Sequence, residues 1–251
     1  MIISIITATF NSQKNINKCL DSIANQTYKN IEHIIIDGAS TDKTLEIINE
    51  HSHRPAKIIS EPDSGVYEAL NKGIKNSTGD VIGFLHSDDS FIDNNCIELI
   101  ANEFIKNKQI CAVYGDIIYI SSKNENKVLR FWKSQNFNNK LIGNGWMPPH
   151  TVFYVKRNYY DKTNYFDTSF KISADYFSIL KMFNENNFTV QYIPQTLLKM
   201  RMGGASNGSL YRIIRKTFED WKAIRKMNYP LLRSMIMLLL KNLRGIKTFI
   251  F

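Results

Sequence analysis

Apolar and polar positions come in blocks along the first hundred residues. Residues 2–7 are mostly apolar and end in the polar turn Thr9-Phe10-Asn11-Ser12. Ile16, Cys19, Leu20 and Ile23 then recur at helical spacing. A second apolar run, 31–36, stops at Asp37-Gly38. The next helix begins at Ser40 or Thr41 as N-cap and carries Leu45, Ile47 and Ile48. A short strand at 57–60 leads to Pro62-Asp63-Ser64-Gly65, followed by a helix through Tyr67, Leu70 and Ile74. The run Val81–Leu85 ends at His86-Ser87-Asp88-Asp89, and a helix is expected from Asn94 to Phe104. Four strands, each followed by a helix, predict a parallel α/β sheet with right-handed crossovers. Ligands bind such sheets beyond the carboxyl ends of the strands. There the turns after strands one, two and four carry Thr9–Asn11, Asp37–Asp42 and Asp88–Asp89.

The middle of the chain is less regular. Strands are expected near 111–120, 127–132, 151–155 and 188–199, with a helix over Asp175–Asn184. Residues 143–150 and 201–209 are rich in turn formers. Two amphipathic helices separated by Pro230 close the chain, with Ile214, Phe218, Trp221 and Ile224 on one side of the first. Leu232, Met235, Ile236, Leu239 and Leu243 form a stripe on the second.

The 251 residues, 43% hydrophobic and 22% charged, fit one globular domain with or without an appendage. Cys19, Cys96 and Cys111 are odd in number and not at metal-ligand spacing, so they read as reduced core thiols, as expected in the cytoplasm. The amino terminus lacks a basic region, and no run approaches a membrane span. The net charge of +9 is concentrated at the end of the chain. Residues 212–251 hold ten Lys/Arg against two acids, a net of +8, which leaves +1 for the 211 residues before them. This placement points to a local contact and away from nucleic acid, for which no aromatic-basic groove or known module is visible.

Among the candidate chemical groups, Asp88 and Asp89 come first. Adjacent carboxylates repel, and at a strand end they become useful when a hard cation such as Mg²⁺ or Mn²⁺ bridges them to phosphates. The plain alternative is a solvated turn. Asp37 reads either as a turn residue or as a hydrogen-bonding group for a base or ribose. Thr7, Thr9 and Asn11 read as a strand-to-helix cap or as the lining of a nucleotide pocket. Neither a dinucleotide fingerprint nor a P-loop is present.

The ordered series TATFN, SIANQTY, IEHIIIDGASTDKT and EPDSGVYEALNKGIKNSTGDVIGFLHSDD resembles the family 2 glycosyltransferases, almost continuously from Ile2 to Asp93. MPPHTVFY (147–154), KISADYFSILKM (171–182) and RMGGAS (201–206) resemble a branch acting in bacterial surface-polysaccharide synthesis. The resemblance implies a GT-A fold: a mixed, mostly parallel sheet flanked by helices, with a C-terminal helical appendage. It implies a catalytic domain over 1–209, with a nucleotide-binding half (1–105) and an acceptor-binding half (106–209), and a basic helical tail over 210–251. It further implies inverting transfer of a sugar from a nucleotide diphosphate, a UDP-sugar above others, to a hydroxyl of a saccharide or lipid-linked acceptor. By position, Thr7, Asp37 and Asp63 would hold the base and ribose, and Lys72 would lie near the nucleotide. Asp88 and Asp89 match the DXD-type pair, with Asp89 the direct metal ligand. Asp175 matches the general base. His150, Arg201, Gly203, Gly204 and Ser206 fall where donor or acceptor contacts are expected. No histidine follows His150, so members with a late histidine metal ligand are not matched.

Two readings of the tail stay open: packing on the catalytic domain, or attachment to the anionic inner face of the cell membrane. Two rival functions also remain. A sugar nucleotidyltransferase would carry a Gly-rich basic loop after strand one, which TATFNSQ lacks. A non-catalytic nucleotide-sugar-binding partner of another transferase is the other.

Overall fold

The computed structural model describes residues 1–51, 56–202 and 210–247. Its elements run in the order β1 (Ile3–Thr9), α1 (Ile16–Ala24), β2 (Ile31–Asp37), α2 (Thr44–His51), β3 (Ala56–Ser60), α3 (Val66–Asn76) and β4 (Val81–Phe84). There follow β5 (Ser90–Phe91), α4 (Cys96–Lys106), β6 (Ala112–Ser121), β7 (Val128–Trp132), α5 (Lys140–Gly143), a 3₁₀ turn at His150–Val152 and β8 (Tyr154–Lys156). The chain continues with α6 (Asn158–Lys162), α7 (Ala174–Phe183), β9 (Val190–Met202), α8 (Leu210–Lys226) and α9 (Leu231–Lys247). One sheet holds the strands in the order β3-β2-β1-β4-β8-β6-β9-β5, with β7 beside β6.

The first half matches the expected pattern. β1 pairs in parallel with β2 and β4, and β2 with β3, in registers that bring Thr9, Asp37 and Ser60 level at one edge. Both faces of these strands are covered, which is why they read as continuous apolar runs. Ile3, Ile5 and Ile35 pack on α1, α2 and α4. Ile6, Ile34 and Ile36 pack on α3 and on the cluster that includes α7. β8 turns the sheet antiparallel next to β4. The two strands sit so close that a Cβ on Gly83 would lie 2.0 Å from the Tyr154 ring, so only glycine fits there. β6 and β9 are parallel, making the whole sheet mixed.

The C-terminal helices have an unusual polarity. Ala223, Ile224 and Met237 join the main core, so their inner faces pack on the catalytic fold. Between the helices lies a buried ionic seam: Asp220 Oδ2 accepts from Lys216 Nζ at 2.7 Å and from Lys241 Nζ at 2.6 Å. The outward faces are apolar, with Tyr211, Ile214, Phe218, Leu232, Met235, Ile236, Leu239 and Leu243 all exposed, Phe218 by 65% and Leu232 by 72%. The pair is thus amphipathic in the inverse sense to an ordinary surface helix, whose apolar stripe faces the core. Among the described residues no helix is long and apolar enough to cross a membrane.

Thr7 is the first departure from expectation. Its side chain turns to the helical side of the sheet, fully buried, with Oγ1 3.1 Å from His33 Nε2. It ties β1 to β2 and presents no side-chain group to a nucleotide. Burial pushes the His33 imidazole down from 6.5 to about 4. As pH falls through 6.5 the unfolded chain takes up a proton that the native ring refuses, so stability declines until about pH 4. The full shift corresponds to about 3 kcal/mol. In His33→Gln, whose amide still reaches Thr7, the loss of urea stability between pH 7 and pH 4.5 should be smaller than in the wild type. Equal pH slopes in the two proteins would show that His33 is not the titrating group.

Candidate functional site

The polar loops at the strand ends are stitched into one network. Asp37 closes β2, fully buried; its Oδ2 accepts from Ser40 N at 2.9 Å and Ser60 Oγ at 2.7 Å, and its Oδ1 accepts from Ser40 Oγ. Asn11, in the left-handed region at φ 47°, accepts from Thr41 N at 2.9 Å while its own N–H donates to Ser40 Oγ at 2.8 Å. Asn11 therefore locks the β1 loop to the β2 loop. Ser12 extends the seam by reaching Ser87 Oγ at 2.9 Å, beside Asp88.

Asp63 sits across Gly38. A Cβ on Gly38 would come within 2.9 Å of Asp63 Oδ2, so glycine lets the carboxylate approach the β2 loop. Gly65 N donates to Asp63 Oδ1 at 2.9 Å. Phe10 stands beside this pair, 61% exposed, with its ring edge facing Gly38. A half-buried carboxylate next to an open aromatic ring suits a planar base with N–H donors. Lys72 lies beside the same loop. Its donors are engaged by Glu61 at 3.0 Å, Glu68 at 3.3 Å and the Pro62 carbonyl at 2.9 Å. The Glu61 bond, with Glu68, holds its ammonium above the usual lysine range. Lys72 braces the loop that carries Asp63 and offers no free donor to a phosphate.

Asp88 and Asp89 follow β4. Burial raises the pKa of both, and the Asp88 charge raises Asp89 further. Asp89 Oδ1 accepts one long bond, from Arg201 N at 3.3 Å, while its buried Oδ2 has no partner. A buried carboxylate oxygen without a donor is a costly arrangement unless a cation completes it. Among the described residues no cluster of three His, Cys, Asp or Glu side chains forms a metal cage. Two carboxylates fit a hard cation whose remaining ligands are phosphate oxygens and water, the usual mode for Mg²⁺. Thr9 Oγ1 is likewise buried without a partner at the end of β1.

Arg201, at the end of β9, is held by an ion pair to Glu125 in the β6–β7 connection; Glu125 also pairs with Lys18 of α1. Its Nε is buried and unpaired. Gly203, Gly204 and Ser206 lie outside the described residues.

Asp175 occupies the first turn of α7. Its Oδ1 lies 3.1 Å from Tyr67 OH, which also reaches the Ile172 carbonyl at 2.5 Å, and its Oδ2 lies 3.2 Å from His150 Nδ1. His150 Nε2 lies 3.2 Å from His86 Nε2, in the loop that leads to Asp88. The acidic pair and the distant carboxylate are therefore linked through two imidazoles. Glu219 of α8 supports this end from below. It accepts from three consecutive backbone N–H groups, Lys171 (3.0 Å), Ile172 (2.7 Å) and Ser173 (3.1 Å), just before Asp175. Burial pushes the Glu219 carboxyl up, but these donors and Arg215 hold it below the usual range. Sequence reasoning missed His86, Tyr67, Phe10 and Glu219. His86 had a visible signal, its place directly before Ser87-Asp88-Asp89, whereas Glu219 had none because its partners are backbone groups 46 or more residues away.

The model of the family described as Glycosyl transferase family 2 matches residues 4–177. A PGL/p-HBAD biosynthesis glycosyltransferase of Mycobacterium bovis is 28% identical over 208 residues, which is 81% of this chain and 78% of that protein. A chondroitin synthase of Pasteurella multocida is 36% identical over 115 residues, 45% of this chain and only 12% of the synthase. In structure, S. aureus TarS in complex with UDP-GlcNAc superposes with a TM-score of 0.68 at 18% identity, covering 94% of this chain and 70% of TarS. The mannosyltransferase PcManGT from Pyrobaculum calidifontis, in complex with GDP-Man and Mn²⁺, gives 0.66 at 17% identity, covering 95% of this chain and 68% of that one. The solved structures share with this chain the GT-A architecture, a mixed, mostly parallel sheet flanked by helices. With the family model spanning well over half its length, the chain belongs to the family 2 glycosyltransferases.

Proposed function

We propose that the protein transfers a sugar from a UDP-sugar to a hydroxyl of a saccharide or lipid-linked oligosaccharide, with inversion, in the building of a bacterial surface polysaccharide. The observation that carries this reading is the connection of Asp88–Asp89 to Asp175 across one short imidazole bridge. A group for the leaving diphosphate and a group for the attacking hydroxyl are then carried on segments joined by that bridge. The TarS complex with UDP-GlcNAc supports the donor class. The mycobacterial and chondroitin relatives support the glycan setting.

Asp175 takes the acceptor's proton as its oxygen bonds to the anomeric carbon. The bond from that carbon to the diphosphate oxygen breaks, and its electron pair leaves with the diphosphate. One displacement by one activated hydroxyl inverts the anomeric centre. Tyr67 and His150 orient the carboxylate that receives the proton. Asp63, Gly38, Phe10 and the Asp37 loop receive the base and ribose; Thr9 and Asn11 shape the floor beside them. Asp88 and Asp89 hold Mg²⁺ or Mn²⁺, which when bound neutralises the charge that gathers on the diphosphate. The Mn²⁺ complex of PcManGT supports a divalent ion in this fold. Arg201 and the segment containing Gly203, Gly204 and Ser206 contact the donor phosphates or the acceptor.

The outward apolar faces of α8 and α9, set among ten cations, suit an anionic membrane surface. This feature supports a cytoplasmic enzyme, peripheral on the inner face of the cell membrane, next to a lipid-linked acceptor. A second copy seated on the same face would bring two segments of net +8 together, which charge repulsion disfavours.

Calorimetric titration should show UDP binding that requires Mn²⁺ or Mg²⁺, is weaker for GDP, and is lost in Asp89→Ala. Absence of binding to either nucleotide would overturn the nucleotide-sugar reading. With a UDP-sugar and an acceptor mixture, Asp175→Asn should cut turnover by roughly 10²- to 10⁴-fold while UDP affinity stays near the wild-type value. Unchanged turnover would remove Asp175 as base. The full chain should co-sediment with phosphatidylglycerol-containing vesicles and not with neutral ones, less so at high salt, and the double variant Phe218→Glu/Leu232→Glu should stay in solution. Equal partition of the variant would exclude the helical faces as the contact.

A further inference from the structure

His86 has no role in the chemistry described above, yet from the β4 loop it meets His150, the partner of Asp175. The two Nε2 atoms of His86 and His150 face each other at 3.2 Å, with ring centroids 5.5 Å apart and planes inclined at 57°. Two such nitrogens share a single proton, since one must donate and the other accept. On its other side His150 presents Nδ1 to Asp175 Oδ2 at 3.2 Å. An ionised carboxylate needs a donor there, so Nδ1 carries the hydrogen. A neutral His150 then has only a lone pair at Nε2, and His86 must supply its Nε2–H. Each ring is thereby confined to one tautomer.

Tyr67 has a single hydroxyl hydrogen, and its shorter bond, 2.5 Å, goes to the Ile172 carbonyl, with Asp175 Oδ1 3.1 Å away. His150 is therefore the main side-chain donor to the Asp175 carboxylate, at Oδ2. Phe84, Phe153, Tyr160 and Phe166 wall the back of His150 and Asp175 around a cavity of about 10 Å³, which leaves room for at most a single water. His150 is 31% exposed, and His86 is the side chain that meets its Nε2. His86 in turn is carried by the loop that leads into Asp88–Asp89.

We infer that His86 is a positioning residue that acts through His150 to fix the orientation of the Asp175 carboxylate, so that the loop bearing the acidic pair and the acceptor base are set as one unit. The inference rests on Asp175 being the base. It assigns His150 to holding Asp175, in place of a direct contact with donor or acceptor.

The test uses the full chain labelled with ¹⁵N. In the wild type the imidazole spectra should show His150 protonated at Nδ1 and His86 at Nε2. His86→Phe should shift the His150 signals and lower kcat for UDP release from a UDP-sugar by roughly ten- to a hundredfold, the scale of a misplaced catalytic group. UDP affinity should stay within about twofold, because nothing that binds the nucleotide is removed. His86→Gln, whose amide N–H can meet His150 Nε2, should recover most of the lost rate. The inference is overturned if the wild-type tautomers are reversed, if His86→Phe leaves kcat and the His150 signals unchanged, or if His86→Gln is as slow as His86→Phe. Should His86→Phe fail to fold, the wild-type spectra and the rate of His86→Gln decide. A wild-type protein inert towards UDP-sugars would refute the donor class alone, and the response of the His150 signals to either substitution would still show whether His86 reaches the partner of Asp175.

Discussion

A carboxylate withdrawn from water has to be given donors or a cation, and this requirement organises the structure around the site. Asp37 is given Ser40 and Ser60, and the bonds draw the ends of β2 and β3 together. Glu219 is given three backbone N–H groups, which fixes the approach to α7. Asp220 is given two ammonium groups on one oxygen, which clamps α8 to α9. Asp89 alone of these four has only one long backbone bond and no ion pair within reach. Asp37 and Glu219 are satisfied and Asp220 is charge-paired through Oδ2, although its Oδ1 is buried without a partner; Asp89, with neither, sits at the carboxyl edge of the sheet. Raised carboxyl pKa values at Asp88 and Asp89 express the same imbalance.

The first half of the fold is legible in the sequence because each strand is buried on both faces and each loop is polar. The helix expected over Asp175–Asn184 corresponds to α7 at Ala174–Phe183, and the strand expected at 188–199 corresponds to β9 at Val190–Met202. Less is legible between them. The two-residue β5 pairs with β9 from more than a hundred positions away, and short α5 and α6 have too few residues for a period to show. The strand expected at 151–155 is partly a 3₁₀ turn that aims His150 at Asp175, with β8 only at Tyr154–Lys156. Of the site residues, those whose role depends on lying at a strand end, Asp37, Asp88 and Asp89, can be read locally. Thr7 and Lys72 cannot, because what they touch is fixed by His33 and Glu61, whose distance follows from sheet register and loop packing.

The tail illustrates a different limit. Periodicity identified two amphipathic helices, but an apolar stripe by itself does not say which way it faces. Here the ionic seam of Asp220, Lys216 and Lys241 is turned inwards and the stripe outwards, although a few small and apolar residues, Ala223, Ile224 and Met237, still anchor the inner faces. Packing on the domain and an exposed apolar face are therefore compatible, since each uses a different side of the same helices.

The reach of Glu219 across the chain also sets an order of assembly. Strands β1 to β4 and the loop that carries Asp88 and Asp89 are complete by residue 89, and domains generally fold from the amino end as synthesis proceeds. The segment before Asp175 acquires its partner only when residue 219 has emerged, 44 positions after Asp175 itself. A growing chain thus possesses the parallel half of its sheet well before the approach to α7 is firmly held.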